Sequence, residues 1–353
     1  MSQVATMNEQ PIEDRIKWVF DLARRYSAEF CSPEAFLARE RYLAQHPTAI
    51  AVLKCMDGRI NIPVATNTPA GIIQPFRNLG GMFDMGWPHL GEVLAQYVQR
   101  MVKNGRRVLI LITYHFSRGD VHRGCSGFNC DTEAAIAHTR QIQNQMEAIF
   151  GDGHDTVYPL ICGFETDEDA ILLHSPDGRI LDLSGDITEE KFAVELALRF
   201  NDMPREMQSD LLPLLAGNLS HIKELRQNRR SLIVEHHEWM ICLGRGFDFL
   251  HTPNLALIVG PYSPNLSDPI RKAAAIIESN MAAGRIPDDG FLLLASVPYD
   301  EIGVDRARAE MKSNFLSRFA AEVIEQEFPD LASKMIRHTA VLEWNSRRID
   351  QLL

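Results

Sequence analysis

Short continuous runs of apolar residues, several of them rich in β-branched side chains, predict buried strands in the first half of the chain. Such runs are typical of parallel strands whose two faces are both covered. The run from Val108 to His115 is the clearest, and the run from Ala49 to Leu53 leads into Cys55. Further strands are predicted at Gly71 to Phe76, Thr156 to Phe164 and Ala170 to His174.

Apolar residues with helical spacing lie between these predicted strands. The segment from Pro88 to Asn104 has proline near its start and Gly105 just after it, the expected asymmetry of helix ends. Strands that alternate with helices predict an α/β fold with a mostly parallel central sheet. Other helices are predicted from Pro11 to Tyr42 with a break near Cys31-Ser32-Pro33, from Thr132 to Phe150, and from Thr188 to Arg229.

The second half of the chain repeats the order of elements found in the first. Few residues are identical, so the prediction of a tandem duplication depends on element order alone. The second copy has lost the thiol and histidine positions, and Pro298 stands about where His115 does. The repeated elements are strands at Glu238 to Leu243, Asn254 to Gly260, Phe291 to Tyr299 and Thr339 to Trp344, with helices at Asp268 to Ala283 and Val304 to Glu327.

Composition and charge narrow the classes of function. The chain has 353 residues, 45% of them apolar and 24% charged, which suits a globular protein of two domains. A formal charge of −11 argues against nucleic acid or an anionic membrane as the main partner. No apolar run approaches the roughly 20 residues of a membrane span. The polar stretch from Met1 to Arg15 and six scattered cysteines predict a reducing, cytoplasmic location.

A thiol, a carboxylate and a guanidinium alternate at the end of the first predicted strand. Along an extended segment, Cys55, Asp57 and Arg59 point to one side. Asp57 could then accept a charge-assisted hydrogen bond from Arg59 and present its other oxygen beside the sulfur. This motif alone is weak, since a buried cysteine is more often a small hydrophobe than a ligand. A second acidic run, from Glu165 to Asp169, is interpreted as a solvated turn.

Two histidines and further thiols follow the strand that begins at Val108. Cys55 with His115 or His122, and with Cys125, gives a Cys/His/Cys set. Three protein ligands leave a tetrahedral zinc with one open position, as in catalytic sites, and two thiolates favour zinc over magnesium or calcium. Such a metal lowers the pKa of its water to about 7, and a held carboxylate can orient that water. Cys130 as a fourth ligand would instead make a closed structural site.

These motifs together resemble the β-class carbonic anhydrases and, within that class, the carboxysome shell carbonic anhydrase family. The resemblance covers roughly residues 46 to 350. It implies a tandem pair of β-carbonic-anhydrase-like domains, of which the second is degenerate and carries no metal. The motifs are Cys55-Met56-Asp57-Gly58-Arg59, Arg77-Asn78-x-Gly80, Tyr114-His115-Phe116-Ser117, Gly124-Cys125, Gly163 to Ala170, and Gly244-Arg245-Gly246-Phe247-Asp248.

The resemblance also implies a site and a reaction, the reversible hydration of CO2 to bicarbonate. The implied zinc ligands are Cys55, His115 and Cys125, with Asp57 and Arg59 as the catalytic dyad. His122 competes with His115, because His122-Arg123-Gly124-Cys125 has the spacing of ordinary β-class enzymes. We favour His115, which ends the strongest predicted strand, because rigid placement suits a tight metal site.

The predicted organisation is an N-terminal helical segment (1–45), a zinc-binding catalytic domain (46–190), a helical connection (191–230) and a degenerate domain (231–353). We expect one zinc per chain, held by the first half. His236 and His237 precede the first strand of the second half, and imidazole pKa values suit the export of protons from a site nearby. Two surface histidines at a strand entrance are an equally good interpretation.

Two other functions stay open at this point. A zinc hydrolase of carbonyl sulfide or carbon disulfide would share the motifs and differ in pocket shape. A non-catalytic assembly subunit could keep a structural zinc, although such a site would leave Asp57 and Arg59 without a role. The family's long N-terminal extension, with its disordered partner-binding tail, is mostly absent. Association with carboxysome components, and assembly into a homo-oligomer, are therefore left open within an expected bacterial cytoplasm.

Overall fold

Two N-terminal helices, α1 (Ile12–Phe30) and α2 (Pro33–Gln45), lie where two helical pieces are predicted. They belong to a computed structural model that describes residues 7–185, 188–227, 236–246 and 254–352. The Ser32 hydroxyl accepts a hydrogen bond from a first-turn amide, and proline is the first helical residue, so α2 has a regular N-cap. The predicted break between the two pieces is confirmed.

The strands of the first half form one sheet. They are β1 (Ala49–Cys55), β2 (Ile73–Asn78), β3 (Val108–Phe116), β4 (Val157–Glu165), β5 (Ala170–His174) and β6 (Ile180–Asp182). Their order is β2-β1-β3-β4-β5-β6, parallel through β4 and antiparallel beyond it. β1 is buried over its whole length, as expected of an apolar run covered on both faces. β2 begins two residues later than predicted, because Gly71 adopts φ +93° in the turn before it.

Helices connect these strands and cover the sheet. They are α3 (Ile62–Ala65), α4 (Pro88–Lys103), α5 (Thr132–Phe150), α6 (Glu189–Arg199) and α7 (Arg205–Gln227). The predicted helices at α4 and α5 are confirmed to within one residue. The predicted helical region after Thr188 divides into α6 and α7, and its predicted end at Arg229 lies outside the described residues.

The second half forms a second sheet with the same plan. Its described elements are β7 (Met240–Leu243), β8 (Ala256–Val259), α8 (Ser267–Ala282), β9 (Phe291–Tyr299), α9 (Val304–Glu327), α10 (Pro329–Ala332), β10 (Met335–Glu343) and β11 (Arg348–Leu352). The sheet order β8-β7-β9-β10-β11, with only β11 antiparallel, corresponds strand for strand to β2-β1-β3-β4-β5. An α/β fold with two mostly parallel sheets flanked by helices is thus confirmed.

The two halves are joined at β8, which lies against the end of β1. The Ile258 amide donates to the Met56 carbonyl at 2.8 Å, and the Gly260 amide donates to the Arg77 carbonyl at 2.9 Å. Asp57 forms an isolated antiparallel bridge with Leu257. The loop that follows β1 is therefore built against the second half. Within the described residues, no helix is both long and apolar enough to cross a membrane.

Candidate metal centre

Three potential metal ligands meet at the carboxyl edge of the first sheet. Cys55 ends β1, His115 lies one residue before the end of β3, and Cys125 follows in the loop after β3. One ligand atom from each lies within 4.8 Å of the other two, and all three side chains are buried. Because β1 and β3 are parallel neighbours, their ends meet at one edge of the sheet. This is the only such cluster among the residues that the structure describes.

Both ring nitrogens of His115 are buried and form no hydrogen bond of regular geometry within the described residues, although the Cys55 thiol lies close enough to interact with the imidazole. Burying a polar group without a partner costs free energy, so such groups in folded proteins usually have a ligand, water or ion beside them. The two sulfurs lie within 4.8 Å of one of the His115 ring nitrogens. The donor set therefore fits a metal ion bound through one imidazole nitrogen and two sulfurs.

The thiols of Cys55 and Cys125 form a hydrogen bond with each other. A hydrogen bond with Cys125, reinforced by burial, raises the pKa of the Cys55 thiol well above its usual value. The same hydrogen bond lowers the pKa of Cys125, and the backbone amides of Gly127 and Phe128 lower it further. A metal cation would take the place of the proton in this hydrogen bond, since thiolates bind metals in the deprotonated form.

The competing residues lie apart from this cluster. His122 is exposed, and its backbone amide donates to the Asp120 carboxylate. Cys130 is partly exposed, and its thiol donates to the His122 carbonyl at 3.7 Å. Neither side chain joins the three atoms that meet within 4.8 Å. The geometry therefore favours a three-ligand site with His115 over a closed site completed by Cys130.

Asp57 and Arg59 form a buried ion pair beside the cluster. Arg59 Nη2 donates to Asp57 Oδ2 at 2.6 Å, Nε bridges both carboxylate oxygens at 3.1 Å, and the Arg59 amide donates to Oδ1. Burial works to raise the pKa of Asp57, but the charges of Arg59 and His236 hold it well below its usual range. Asp57 is thus an ionised acceptor at neutral pH; it lies close enough to His115 for the imidazole to help lower the pKa of Asp57, and close enough to Cys125 to work toward a higher pKa of that thiol.

Arg77 fixes the loop that carries this pair. Its guanidinium is buried and donates to the carbonyls of Cys55, Asp57 and Ile60 at 2.9–3.3 Å. These three carbonyls belong to the turn between β1 and α3, so one side chain sets its curvature. Arg77 belongs to one of the sequence motifs, and its position on β2, parallel to β1, lets its side chain reach this turn.

One histidine of the second half reaches the ion pair. His236 Nε2 lies 3.1 Å from Arg59 Nη2, and His236 Nδ1 lies 2.9 Å from the fully buried Glu238 carboxylate. Since Arg59 can only donate, Nε2 accepts and Nδ1–H is donated to Glu238. His237 turns elsewhere and donates to the Arg285 carbonyl. Of the two candidate histidines for proton export, the structure brings only His236 to the site.

The acidic run after β4 is not a solvated turn, so that interpretation is wrong. Glu165 is 1% exposed and accepts hydrogen bonds from the amides of Arg118, Asp167 and Glu168. Asp167 accepts from the Ser117 hydroxyl and the Gly119 amide. These bonds fasten the beginning of the loop that carries Cys125. Burial, together with a hydrogen bond shared with Asp167, raises the pKa of Glu165 to about 7.

Among the described residues, the equivalent edge of the second sheet has none of the three ligand side chains. Pro298 occupies the penultimate position of β9, as His115 does in β3, and β7 leads into Gly244 and Arg245. Cys242 is buried inside β7. Phe247 and Asp248 of the second-half motif lie outside the described residues.

The segment that holds the cluster is similar to a known protein family. Residues 39–198 match the family model described as Carboxysome Shell Carbonic Anhydrase, catalytic domain. The chain is similar to three carboxysome shell carbonic anhydrases. It is 22% identical to that of Hydrogenovibrio crunogenus over 250 residues, 27% identical to that of Prochlorococcus marinus over 237, and 27% identical to that of Parasynechococcus marenigrum over 242. These alignments cover 59, 58 and 58% of this chain. They cover 46, 46 and 41% of the relatives, so the chain spans less than half their length. The resemblance inferred from the motifs is confirmed.

Proposed function

We propose that this chain is a zinc-dependent carbonic anhydrase that interconverts CO2 and bicarbonate. The observation that carries the proposal is the buried Cys55–His115–Cys125 cluster, whose imidazole nitrogens form no hydrogen bond of regular geometry within the described residues. The cluster and the ion pair beside it both lie within the segment that matches a carbonic anhydrase catalytic domain. The reaction is inferred from the names of the relatives, and the cluster is the proposed site of that reaction.

The donor set supports zinc as the metal. Two sulfurs and one imidazole suit a borderline-soft ion that prefers four ligands, and three protein ligands leave one position for water or substrate. When bound, zinc acts as a Lewis acid that makes water nucleophilic at neutral pH. Cys55, His115 and Cys125 would hold it in a pocket from which the surrounding side chains exclude bulk water.

Asp57 and Arg59 are the proposed catalytic dyad. Arg59 holds Asp57 ionised and in one orientation through four hydrogen bonds. An ionised carboxylate in fixed orientation can accept a hydrogen bond from the attacking water and direct its lone pair toward CO2. Arg77 keeps the loop that carries the dyad in place. The dyad would therefore orient the attacking water, and the three ligands would hold the metal whose positive charge activates that water.

His236 is the proposed exit for the proton that hydration releases. Its ring contacts Arg59 and Glu238, and its side chain is 21% exposed, so it connects the buried dyad with solvent. Burial works to lower the pKa of His236, but the Glu238 carboxylate raises it above its ordinary value, so the ring can take up a proton near neutral pH and pass it to buffer. The second half would then contribute to catalysis although it lacks metal ligands.

The domain division predicted above is kept as part of the proposal. The catalytic domain of residues 46–190 would hold one zinc, and the degenerate domain of residues 231–353 would hold none. The matched strand order of the two sheets supports this division. The names of the relatives support association with a carboxysome, in agreement with a bacterial origin.

Metal analysis combined with stopped-flow CO2 hydration tests the proposal. We expect one zinc per chain and hydration that a chelator abolishes. His115→Ala should lose zinc and activity, whereas His122→Ala, three residues before Cys125, should keep most of both. Two zincs per chain would contradict the degenerate second half. Loss of zinc from His122→Ala alone would overturn the ligand assignment, and a zinc-loaded chain without CO2 hydration would overturn the function.

A further inference from the structure

A polar cavity of about 340 Å³ lies at the edge of the second sheet that corresponds to the metal-ligand edge of the first sheet. Arg245, Pro298 and Tyr299 contribute from the ends of β7 and β9, where the first sheet has its metal ligands. The first half closes the cavity with residues of β2 and α4, among them Gln74 and Tyr97. It thus occupies the position of the lost metal centre, but its lining is different in kind.

Arg347 is the most unusual of the lining residues. It is 6% exposed, yet its Nε and Nη1 have no hydrogen-bond acceptor among the described residues. The residue sits at φ +59° in the turn between β10 and β11. A buried guanidinium without an acceptor is costly, and natural proteins seldom keep one without a use. The residue therefore needs an acceptor that the described part of the chain does not provide.

Aromatic stacking places the guanidinium without satisfying it. The Arg347 Cζ atom lies 3.5 Å from the centroid of the Trp344 ring and 4.9 Å from that of Phe30. Stacking uses the flat face of a guanidinium, and its N–H groups point outward in the plane. A purely structural cation–π contact therefore explains the position of Arg347 but leaves its donors free for a ligand.

Arg245 lies beside the same tryptophan. Its Cζ lies 5.6 Å from the Trp344 ring and 5.7 Å from the Phe76 ring, and its buried Nε also has no acceptor in the described residues. Burial lowers the pKa of Arg347 to about 10, and the charges of Arg39 and Arg245 contribute. Two like charges are thus held close together with little to offset them.

The remaining charges of the cavity leave it positive. Arg100 and Arg106 also line it, against two aspartates. The Asp305 carboxylate already accepts hydrogen bonds from the backbone amides of Asp300 and Glu301. Asp300 is the one carboxylate that offsets the charge on Arg347, and its side chain is exposed. The lining thus presents more donors than acceptors.

We propose that this cavity binds a small oxyanion of the carboxylate or phosphate type, held by the in-plane N–H groups of Arg347 and Arg245. A guanidinium fork matches two oxygens of such a group and forms its strongest hydrogen bonds with them. This site is separate from the proposed metal centre and does not depend on the proposed function. Trp344, stacked on Arg347, is a built-in reporter of occupancy.

Titration of the full-length chain at constant ionic strength tests the proposal. Inorganic phosphate and acetate are the two probes, with tryptophan fluorescence and calorimetry as readouts. We expect saturable binding of at least one probe, and the stronger of the two identifies the oxyanion type. Arg347→Met should weaken binding about tenfold or more, as loss of hydrogen bonds from a charged donor does. Arg348→Gln, at the exposed neighbouring position, should not.

Two further variants keep the test decisive. If Arg347→Met fails to fold, Arg245→Met removes the second guanidinium from a less buried position and should weaken binding in the same way. His115→Ala should retain oxyanion binding, which separates this site from the metal centre. Absence of saturable binding by both probes at millimolar concentration, or equal loss in Arg347→Met and Arg348→Gln, would overturn the proposal.

Discussion

Gly58 offers the sharpest test of how the second half supports the candidate metal centre. It stands between Asp57 and Arg59, and a Cβ at this position would lie 2.5 Å from the Ala256 carbonyl oxygen of β8. Its φ is not positive, so alanine would strain no backbone angle and only the contact decides. Since the Ala256 oxygen is a backbone atom and the new Cβ is fixed to the backbone of the loop, Gly58→Ala must push the loop and β8 apart.

The cost follows from two terms. Inserting a methyl group into a packed contact costs about 1–3 kcal/mol. Separation of the two segments also weakens the hydrogen bond from the Ile258 amide to the Met56 carbonyl, 2.8 Å in the native chain, for about 1 kcal/mol more. The sum, about 2–4 kcal/mol, should lower Tm by about 3–5 °C, since an unfolding entropy of about 2.1 cal/mol/K per residue over 353 residues gives about 1.4 °C per kcal/mol.

Activity should fall together with stability, because the displaced loop carries the dyad. Arg59 would lose His236, which comes from the second half. The measurements are thermal unfolding, zinc content and CO2 hydration, with Gly153→Ala as matched control. A Cβ at Gly153 meets only an Asp155 carboxylate oxygen, at an ordinary 3.9 Å. If Gly58→Ala equals Gly153→Ala in Tm and turnover, the inferred support by the second half is refuted.

Three other predictions concern charge. Asp57→Asn should keep zinc but lower CO2 hydration about 10–100-fold, since a neighbour that orients the site loses its charge; wild-type turnover would remove Asp57 from the dyad. His236→Ala should reduce the dependence of turnover on buffer concentration and His237→Ala should not; two unchanged profiles would end the relay proposal. Because burial and Asp167 raise the pKa of Glu165 from 4.5 to about 7, its contribution to stability is full below pH 4.5 and is lost as pH rises through 7. Thermal unfolding against pH should therefore flatten in Glu165→Gln, and parallel curves would contradict this origin.

Most of the fold could be predicted from the sequence because its parallel strands are buried on both faces. A strand such as Val108–Phe116 then appears in the sequence as an unbroken apolar run, which can be recognised from the local sequence alone. Boundaries shifted where polar residues continue a strand: β10 begins at Met335, four residues before the predicted Thr339, through the half-exposed stretch with Arg337 and His338. That stretch pairs with β9, a contact that no local pattern displays.

The candidate site was only partly predictable. Spacing in the sequence allowed either His115 or His122 as the metal ligand. Which of the two lies near Cys55 and Cys125 depends on the direction of the His115 side chain at the end of β3, and the sequence does not give that direction. The burial of Glu165 was missed because charged residues in a turn usually face solvent, and its amide partners become visible only in three dimensions. The N–H groups of Arg347 that have no acceptor among the described residues could not be predicted from the sequence either, since the presence of an acceptor depends on the tertiary surroundings.

The hydrogen bond between Met56 and Ile258 couples two equilibria. Met56 lies between a proposed metal ligand and the dyad carboxylate, so a metal that orders this loop also orders the strand bonded to it. By thermodynamic linkage, the free energy with which a bound metal favours the ordered β8 equals the free energy with which the ordered β8 favours metal binding. Removal of the metal should then hasten hydrogen exchange at the Ile258 amide, in a half of the chain where no metal ligand is proposed. A half without ligands can in this way set the metal affinity of the other.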